Sequence, residues 1–409
     1  MKLPSLNIQI FLGALFGVLI GLLLQKTGIE NTSASSSLYA ATIVGTLFID
    51  LLKMILIPLV FCSIVVGIAN LRQHQQMHAV WISTLVFFVF TMVIAMIVGM
   101  AASNYFQPGA GLAFSMFEGA MQNFQAQQMP LSAFLAHFLH NLFVNPFQSL
   151  AEGKVLSVVI FALFLGIALV MGGERYRNIL ELLEEALEVT MRMVNWIMYL
   201  APYGIAALLI QLIATQDVSV LGTLAKFVAV VAGTLLFHGV IMLPLLLFLL
   251  TGKSPIWFWK GARQALITAF ATSSSSATLP ITIRCATEQL DVKPEIAGFV
   301  IPLGATMNMD GTALYEAAAA LFVANLVGVD LSFTQQLIVF FTAMIASIGA
   351  PGIPSAGMVT MVLVLQSVGL PAEAIAILLP VDRMLDTLRT TVNVEGDMTA
   401  SLVVQKIVS

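Results

Sequence analysis

The chain has 409 residues, with 17 Lys and Arg and 21 Asp and Glu, so 38 charges make up 9% of it, against 59% hydrophobic residues. A soluble domain carries about 25% charged residues, so a soluble enzyme is excluded, and the abundance of apolar residues excludes a disordered chain. A net charge of −4, a pI near 5.7 and the lack of any basic run exclude nucleic acid as a partner. What is left is an all-α polytopic membrane protein, and the informative question is where the 38 charges sit.

Spanning the hydrocarbon of a bilayer takes about 20 mostly apolar residues. Stretches near that size cover 8–24, 43–69, 80–105, 155–170, 193–214 and 227–250. The first is longer than the roughly 7–15 apolar residues of a signal peptide, so it reads as a retained helix. Arg72, Arg175, Arg177, Lys253 and Lys260 follow the second, fourth or sixth span. On the opposite side Lys26 is the exception, and 107–141 holds no Lys or Arg. The positive-inside rule then places the N-terminus and the even-numbered ends in the cytoplasm. The expectation is a multi-pass protein of the cell (inner or plasma) membrane with both termini cytoplasmic.

The polar, Gln-rich 107–141 segment reads as an extracellular excursion into a broken fourth element. His137 and His140 stand three apart with no carboxylate or thiol nearby, and read as interfacial histidines rather than a metal site. Cys62 and Cys285 show no metal or disulfide spacing. Glu181, Glu184, Glu185 and Glu188 begin a helix with a solvated acidic face.

From Lys260 onward the apolar runs are repeatedly interrupted. ATSSSSATLP (271–280) has apolar helical sequence on both sides. GATMNMDGTALYE (304–316) lies inside an apolar run, and SIGAPGIPSAG (347–357) separates two apolar halves. The stretch 375–408 is apolar at both ends and charged in the middle. The order is a hairpin with a polar or Gly/Pro tip followed by a spanning helix with a polar centre, twice over. Such paired interruptions point to a transporter's midplane site, because irregular backbone at membrane depth survives only buried in protein or lining a cavity.

The last helix carries the strongest signal: Asp382, Arg383, Asp386, Arg389, Glu395 and Asp397 lie within 16 residues. At about 100° per residue, Asp382, Asp386, Arg389, Asn393 and Asp397 fall within an arc of about 80°, with Arg383 on its shoulder and Glu395 pointing away. Each charge at the bilayer centre costs about 2.5–3.5 kcal/mol on insertion scales, so a cluster there reads as functional rather than as glue. Arg389 offers a planar fork for a carboxylate, and Asp386 one turn earlier suits an ammonium. A zwitterion with an extra carboxylate, aspartate or glutamate, fits both. NMDGT (308–312) supplies Asn and Asp oxygens and a Gly at a point where helix can unwind around a hard cation. Ser273 to Ser276 offer hydroxyls and free N–H groups to an anion, and the 349–357 tip cannot be regular helix.

Together these motifs resemble the glutamate/aspartate transporter family, the dicarboxylate/amino acid:cation symporters, from LLKMILIPLVFCSIVVGIANL (51–71) to DRMLDTLRTTVNVEGD (382–397). The resemblance implies eight transmembrane helices plus two re-entrant helical hairpins, inverted repeats, a homotrimer and an elevator-type mechanism. It assigns residues 1–72 to scaffold helices 1–2, 78–106 to transport-domain helix 3 and 128–216 to scaffold helices 4–5. The transport domain continues through 226–409: helix 6, hairpin 1 (about 256–292), helix 7 (about 294–328), hairpin 2 (about 333–370) and helix 8 (about 374–408).

Residue by residue, the resemblance puts the substrate α-carboxylate on Ser275 and Asn393. The ammonium falls to Asp386 and Thr390, and the side-chain carboxylate to Arg389 and Thr312. Ser274, Ser276, Gly352, Ile353 and Pro354 complete the substrate set. A first sodium falls to Asp397, Asn393, Asn308 and the Gly304 carbonyl. A second falls to carbonyls of Ser347, Ile348 and Ala350 with Thr306, and a third to Asp310, Asn308 and Thr91. The third set is one oxygen short here. Met92 stands where the family usually has a second hydroxyl, Phe88 where it has Tyr, and a thioether is a poor sodium ligand. The family's further arginine stands at neither Ser273 nor Thr387, which leaves Arg383 as the substitute. Glu316 matches the animal transporters, where that glutamate is tied to proton and potassium coupling.

The expected function is sodium-coupled uptake of an acidic amino acid, with no cofactor beyond sodium as the coupling ion and a proton as an alternative. The rivals are a proton-coupled acidic amino acid or C4-dicarboxylate symporter and a neutral amino acid transporter. Asp386 argues against a plain dicarboxylate and Arg389 against a neutral substrate. An intramembrane protease is disfavoured because GIPSAG and NMDG match neither protease pattern. A channel built of rings predicts no Arg/Asp pair.

Overall fold

A computed structural model describes residues 6–27, 32–69, 78–110, 143–152, 155–215, 219–348, 350, 352 and 354–408. The readings made at Arg72, His137, His140, Gly349, Pro351 and Ile353, and over most of 107–141, lie outside the described residues. All the regular elements among them are helical.

The first half comprises α1 (Leu6–Thr27), α2 (Thr32–Ala69), α3 (His78–Phe106), α4 (Pro146–Glu152), α5 (Val155–Gly172) and α6 (Arg177–Thr215). Arg175 and Arg177, expected in a loop, instead lie in and just after a 3-10 turn, Gly173–Tyr176, that runs directly into α6. The acidic residues there form an exposed first stretch of that helix. Arg177 Nε donates to Glu181 Oε1 at 2.7 Å, as expected of a solvated face.

α7 (Ser219–Phe237) and α8 (Leu243–Thr251) form one span with a π turn, His238–Met242, between them. Pro244 supplies the physical cause. It has no N–H to give, and its ring crowds the carbonyl four residues back, so the ladder is re-spaced by one residue. The Leu243 N–H accordingly bonds to the His238 carbonyl, five residues back.

Three of the four interruptions seen in the sequence are helix breaks. α9 (Pro255–Thr272) and α10 (Ser275–Gln289) meet at Ser273, whose φ of 52° is left-handed. α11 (Pro294–Met307) and α12 (Asp310–Leu326) part at Asn308 and Met309. α13 (Phe333–Ile348) and α14 (Ala356–Ser367) part at the Gly/Pro stretch, with Ser355 left-handed at φ 59°. α15 (Ile375–Val408) is continuous through its charged centre.

α1, α2, α5 and α6 pack chiefly on one another, whereas α3 lies along α12, and α15 touches most elements of the C-terminal half as well as α3. Small residues allow the first group to close. A Cβ on Gly17 of α1 would stand 2.5 Å from the Ala206 carbonyl oxygen of α6, and one on Gly21 would stand 2.6 Å from the Ile213 Cβ. Close backbone approach of this kind is the usual basis of helix association in lipid.

The polarity of the molecule is inverted relative to a soluble protein. Phe11, Phe16, Leu19, Phe90, Ile97, Phe248 and Leu249 are exposed on α1, α3 and α8. Asp310, Glu316, Asp382, Asp386, Arg389, Glu395 and Asp397 are all buried. Three helical stretches among the described residues, Ile8–Lys26, Ala79–Phe106 and Leu221–Thr251, are long and apolar enough to cross a membrane by length and composition. The sequence predicted six such stretches. The other three lie within α2, α5 and α6.

Candidate functional site

The site is assembled where the two hairpin tips meet the centre of α15. Ser274 precedes α10 and caps it, its Oγ accepting the Ala277 N–H at 3.1 Å. The same hydroxyl donates to the Gly352 carbonyl at 2.8 Å, and the Ser276 N–H donates to that carbonyl at 3.0 Å. The two tips are thus joined through one oxygen. At the second tip the Ser355 N–H donates to Asp386 Oδ2 at 2.8 Å, which ties the start of α14 to α15. Pro354 is half-buried in the turn before α14, and Ser275 and Thr390 are buried.

Arg389 is 1% exposed and held on three sides. Its Nη2 donates to Asp382 Oδ1 at 2.7 Å and to Asp386 Oδ1 at 2.8 Å. Its guanidinium carbon lies 4.0 Å from the centre of the Tyr315 ring, a cation–π contact. Its Nε and Nη1 are buried and have no hydrogen-bond partner among the described residues. An unpartnered buried donor is costly, so these N–H groups can receive an anion. Space for one exists because position 357 is glycine: a Cβ there would stand 3.1 Å from both Arg389 Nη1 and Thr312 Cγ2.

Asn393 lies one turn further along. Its Oδ1 accepts the Gly311 N–H at 2.8 Å, capping the start of α12, and its Nδ2 donates to Thr312 Oγ1 at 3.2 Å. Arg389, Asp386, Asn393 and Thr312 are thus brought together in one cluster. Arg383, on the shoulder of the face, does reach it: its Nη1 lies 3.5 Å from Asp386 Oδ2.

The residues that the resemblance assigns to three cations are placed as follows. Asn308, at the break between α11 and α12, donates from Nδ2 to Asp397 Oδ1 at 2.9 Å and to the Asn393 carbonyl at 3.4 Å. Its Oδ1 is buried without a partner among the described residues. Gly304 lies against Asp397 Oδ1, which a side chain at 304 would strike. These groups form one oxygen-rich centre suited to a hard cation. In the second set the Ser347 carbonyl accepts the Ala350 N–H at 3.1 Å, and the Thr306 hydroxyl donates to the Leu303 carbonyl at 3.0 Å. Ile348 ends α13, directly after Ser347.

In the third set Thr91 donates to Asp310 Oδ1 at 3.1 Å. The other carboxylate oxygen, Oδ2, lies 3.1 Å from His238 Nε2. Met92 is fully buried, its sulfur receiving the Ser347 hydroxyl at 3.4 Å. Glu316, fully buried, accepts the Thr360 hydroxyl.

Several of these residues escaped the sequence reading. His238 stood in an apolar run, where only the nearby Pro244 hinted that the helix would be re-spaced. Tyr315 and Thr360 were not singled out. Asp382 was placed on the polar face but not identified as the anchor of Arg389. Glu395, correctly expected to point away, accepts the Trp259 indole N–H at 2.9 Å.

An apolar exterior around a broken-helix centre of buried, paired charges defines a polytopic membrane protein with a polar midplane site. The chain belongs to the sodium:dicarboxylate symporter family, whose sequence pattern matches residues 6–407. It is 34% identical to excitatory amino acid transporter 3 of Mus musculus over 96% of this chain and 83% of the mouse protein. An excitatory amino acid transporter of Caenorhabditis elegans is 35% identical over 95% of this chain and 84% of the worm protein. Neutral amino acid transporter B(0) of Oryctolagus cuniculus is 35% identical over 93% of this chain and 76% of the rabbit protein.

Proposed function

We propose that the protein is a secondary active transporter that couples uptake of L-aspartate or L-glutamate to sodium entry. The observation that carries this reading is the arrangement at Arg389. Nη2 is neutralised by Asp382 and Asp386, while Nε and Nη1 have no partner among the described residues and Nη1 faces the space beside Gly357. A side-chain carboxylate satisfies Nη1, and Asp386 takes the α-ammonium together with Thr390. Ser275, Asn393 and the joined tips at Ser274, Ser276 and Gly352 enclose the α-carboxylate. The excitatory amino acid transporters among the relatives support the same substrate class.

Sodium is the coupling ion in this reading. The Asn308, Asp397, Asn393 and Gly304 group supplies the first site, and the end of α13 with Thr306 supplies the second. Glu316 is the candidate proton carrier. The paired breaks at 273–274 and 349–355 are the tips of two re-entrant hairpins. The transport domain comprises α3 and α7–α15, and it slides as an elevator against a trimeric scaffold of α1, α2, α5 and α6. The separate packing of these two groups supports that division.

The test is uptake of radiolabelled L-aspartate into proteoliposomes under separately imposed sodium, proton and potassium gradients. Accumulation driven by the sodium gradient alone is expected. Uptake that follows only the proton gradient would remove the sodium assignment. A neutral amino acid is the second reading, favoured by the rabbit relative and by the pairing of Arg389 with Asp382, which mutes its charge. Alanine or serine competing with aspartate at equal affinity would establish it.

A further inference from the structure

The hairpin of α9 and α10 carries charge of one sign. Residues 218–287 hold no Asp or Glu, whereas Lys253, Lys260, Arg263 and Arg284 lie on or beside this hairpin. At about 100° per residue, Ile256, Lys260, Arg263, Gln264, Ile267 and Phe270 fall within an arc of about 120° on α9. All six are exposed. Phe258, Ala262, Ala265 and Ala269, on the opposite face, are buried. Arg284 reaches across from α10, its Nη2 donating to Gln264 Oε1 at 3.0 Å. The side chains of Lys260 and Arg263 have no hydrogen-bond or ionic partner among the described residues. Glu395, which does bond to α9, is buried and takes the Trp259 indole N–H at 2.9 Å rather than a cation.

Helix rise sets the depth of these cations. Arg263 precedes Ser273 and Arg284 follows Ser274 by the same number of residues, so both lie about 15 Å from the tip. Half the hydrocarbon thickness of a bilayer is also about 15 Å. With the tip at the midplane, the two guanidiniums reach the boundary between hydrocarbon and headgroups, and Lys260 lies about one turn beyond it. The flanking residues agree with that depth. Ile267 and Phe270, between the cations and the tip, present exposed apolar surface. Trp257 and Trp259 stand at the far end, with Lys253 Nζ 4.7 Å from the centre of the Trp257 ring. Tryptophan and lysine together mark a membrane–water interface.

We propose that this face of the hairpin is a docking surface for an anionic lipid: its phosphate-bearing headgroup sits among Lys260, Arg263 and Arg284, and its acyl chain runs along Ile267 and Phe270. A soluble partner would leave the apolar pair uncovered, and a neutral lipid would leave the three cations unbalanced. The positive-inside rule places this end at the cytoplasmic leaflet, which carries the anionic lipids. The depth in this proposal rests on the reading of α9 and α10 as a re-entrant hairpin.

The test uses the full chain with Trp81→Phe and Trp196→Phe, which leaves Trp257 and Trp259 as the reporters. It is reconstituted in phosphatidylcholine bilayers. Part of that lipid is replaced by phosphatidylglycerol brominated near the headgroup end of its chains, or by phosphatidylcholine brominated at the same carbons. Tryptophan quenching is titrated against mole fraction. The native cations are expected to favour phosphatidylglycerol over phosphatidylcholine about fivefold or more, the scale of a few cations at an anionic surface. Lys260→Gln, Arg263→Gln and Arg284→Gln combined should reduce the preference to about twofold or less. Lys260→Arg, Arg263→Lys and Arg284→Lys combined should retain it. If melting shows that the combined Gln variant does not fold, the three single Gln variants replace it, each lowering the preference about twofold.

Equal quenching by the two brominated lipids with the native cations in place would overturn the proposal. That is the result if another part of the protein, such as the acidic start of α6, covers the face. A preference that survives removal of the three cations would also overturn it. So would one abolished equally by Lys226→Gln, which removes an exposed cation on α7. Stronger quenching by bromines at the chain ends than by those near the headgroup is a different result. It places α9 deep in the bilayer and overturns the re-entrant reading and this proposal with it. Absence of aspartate uptake with the lipid preference intact overturns the transport assignment alone.

Discussion

The guanidinium of Arg389 shows how one residue is made specific by what surrounds it. Three neighbours, Asp382, Asp386 and Tyr315, hold Nη2 and one face, and burial keeps water from Nε and Nη1. A hydrogen bond to a charged group contributes about 1.5–3 kcal/mol, so Arg389→Cys should weaken acidic substrates by about tenfold to a hundredfold or more while sparing neutral ones. Competition of glutamate, aspartate, serine and alanine against labelled substrate measures the shift, and an unchanged aspartate affinity would remove Arg389 from the site. The sequence made this residue legible because a charge in an apolar run is costly and helical spacing sets its neighbours. Asp382 and Asp386 could be placed on the same face by angle alone. That Asp382 would anchor the arginine was not legible, because angle along one helix does not fix which carboxylate a long side chain chooses. Tyr315 arrives from α12, and no local pattern announces a contact between separate helices.

At the scale of elements, the sequence reports interruptions better than it reports helix register. Serine, glycine and proline runs marked the breaks at 273–274 and 349–355, and NMDG marked the gap between α11 and α12. The π turn was hidden. Pro244 signals a disturbed ladder, but the disturbance falls one turn earlier and turns His238 toward Asp310. Glycine spacing in α1 was similarly uninformative until α6 lay against it. Gly17 is a clear case, with the Ala206 carbonyl oxygen 2.5 Å from where a Cβ would stand. Gly17→Leu therefore has to part the two backbones, at a cost of about 1–3 kcal/mol for an overpacked contact. The expected outcome is a lower melting temperature in detergent with substrate affinity intact, since α1 contributes nothing to the site. A loss of affinity at unchanged stability would contradict this account.

Across the whole molecule the charge balance is unequal. Among the described residues, six carboxyl groups, Asp310, Glu316, Asp382, Asp386, Glu395 and Asp397, are buried against one buried guanidinium, that of Arg389. On the proposed reading an anionic amino acid entering such an interior worsens the imbalance, which favours cations or protons entering with it, because uncompensated buried charge is prohibitively costly. On that reading the number of sodium ions turns on the third set, where Asp310 faces Thr91 and His238 and the adjacent position is a thioether. With Met92 directed to Ser347, that set lacks an oxygen, and the expected sodium-to-substrate ratio is lower than in relatives carrying a hydroxyl there. Met92→Thr restores the oxygen next to Asp310 and should raise the ratio by about one, given the preference of hard cations for oxygen donors. Reversal potentials of proteoliposome uptake at several sodium gradients read that ratio directly. A ratio unmoved by Met92→Thr, in a variant that still transports, would mean that His238 and Phe88, rather than the missing hydroxyl, keep sodium from Asp310.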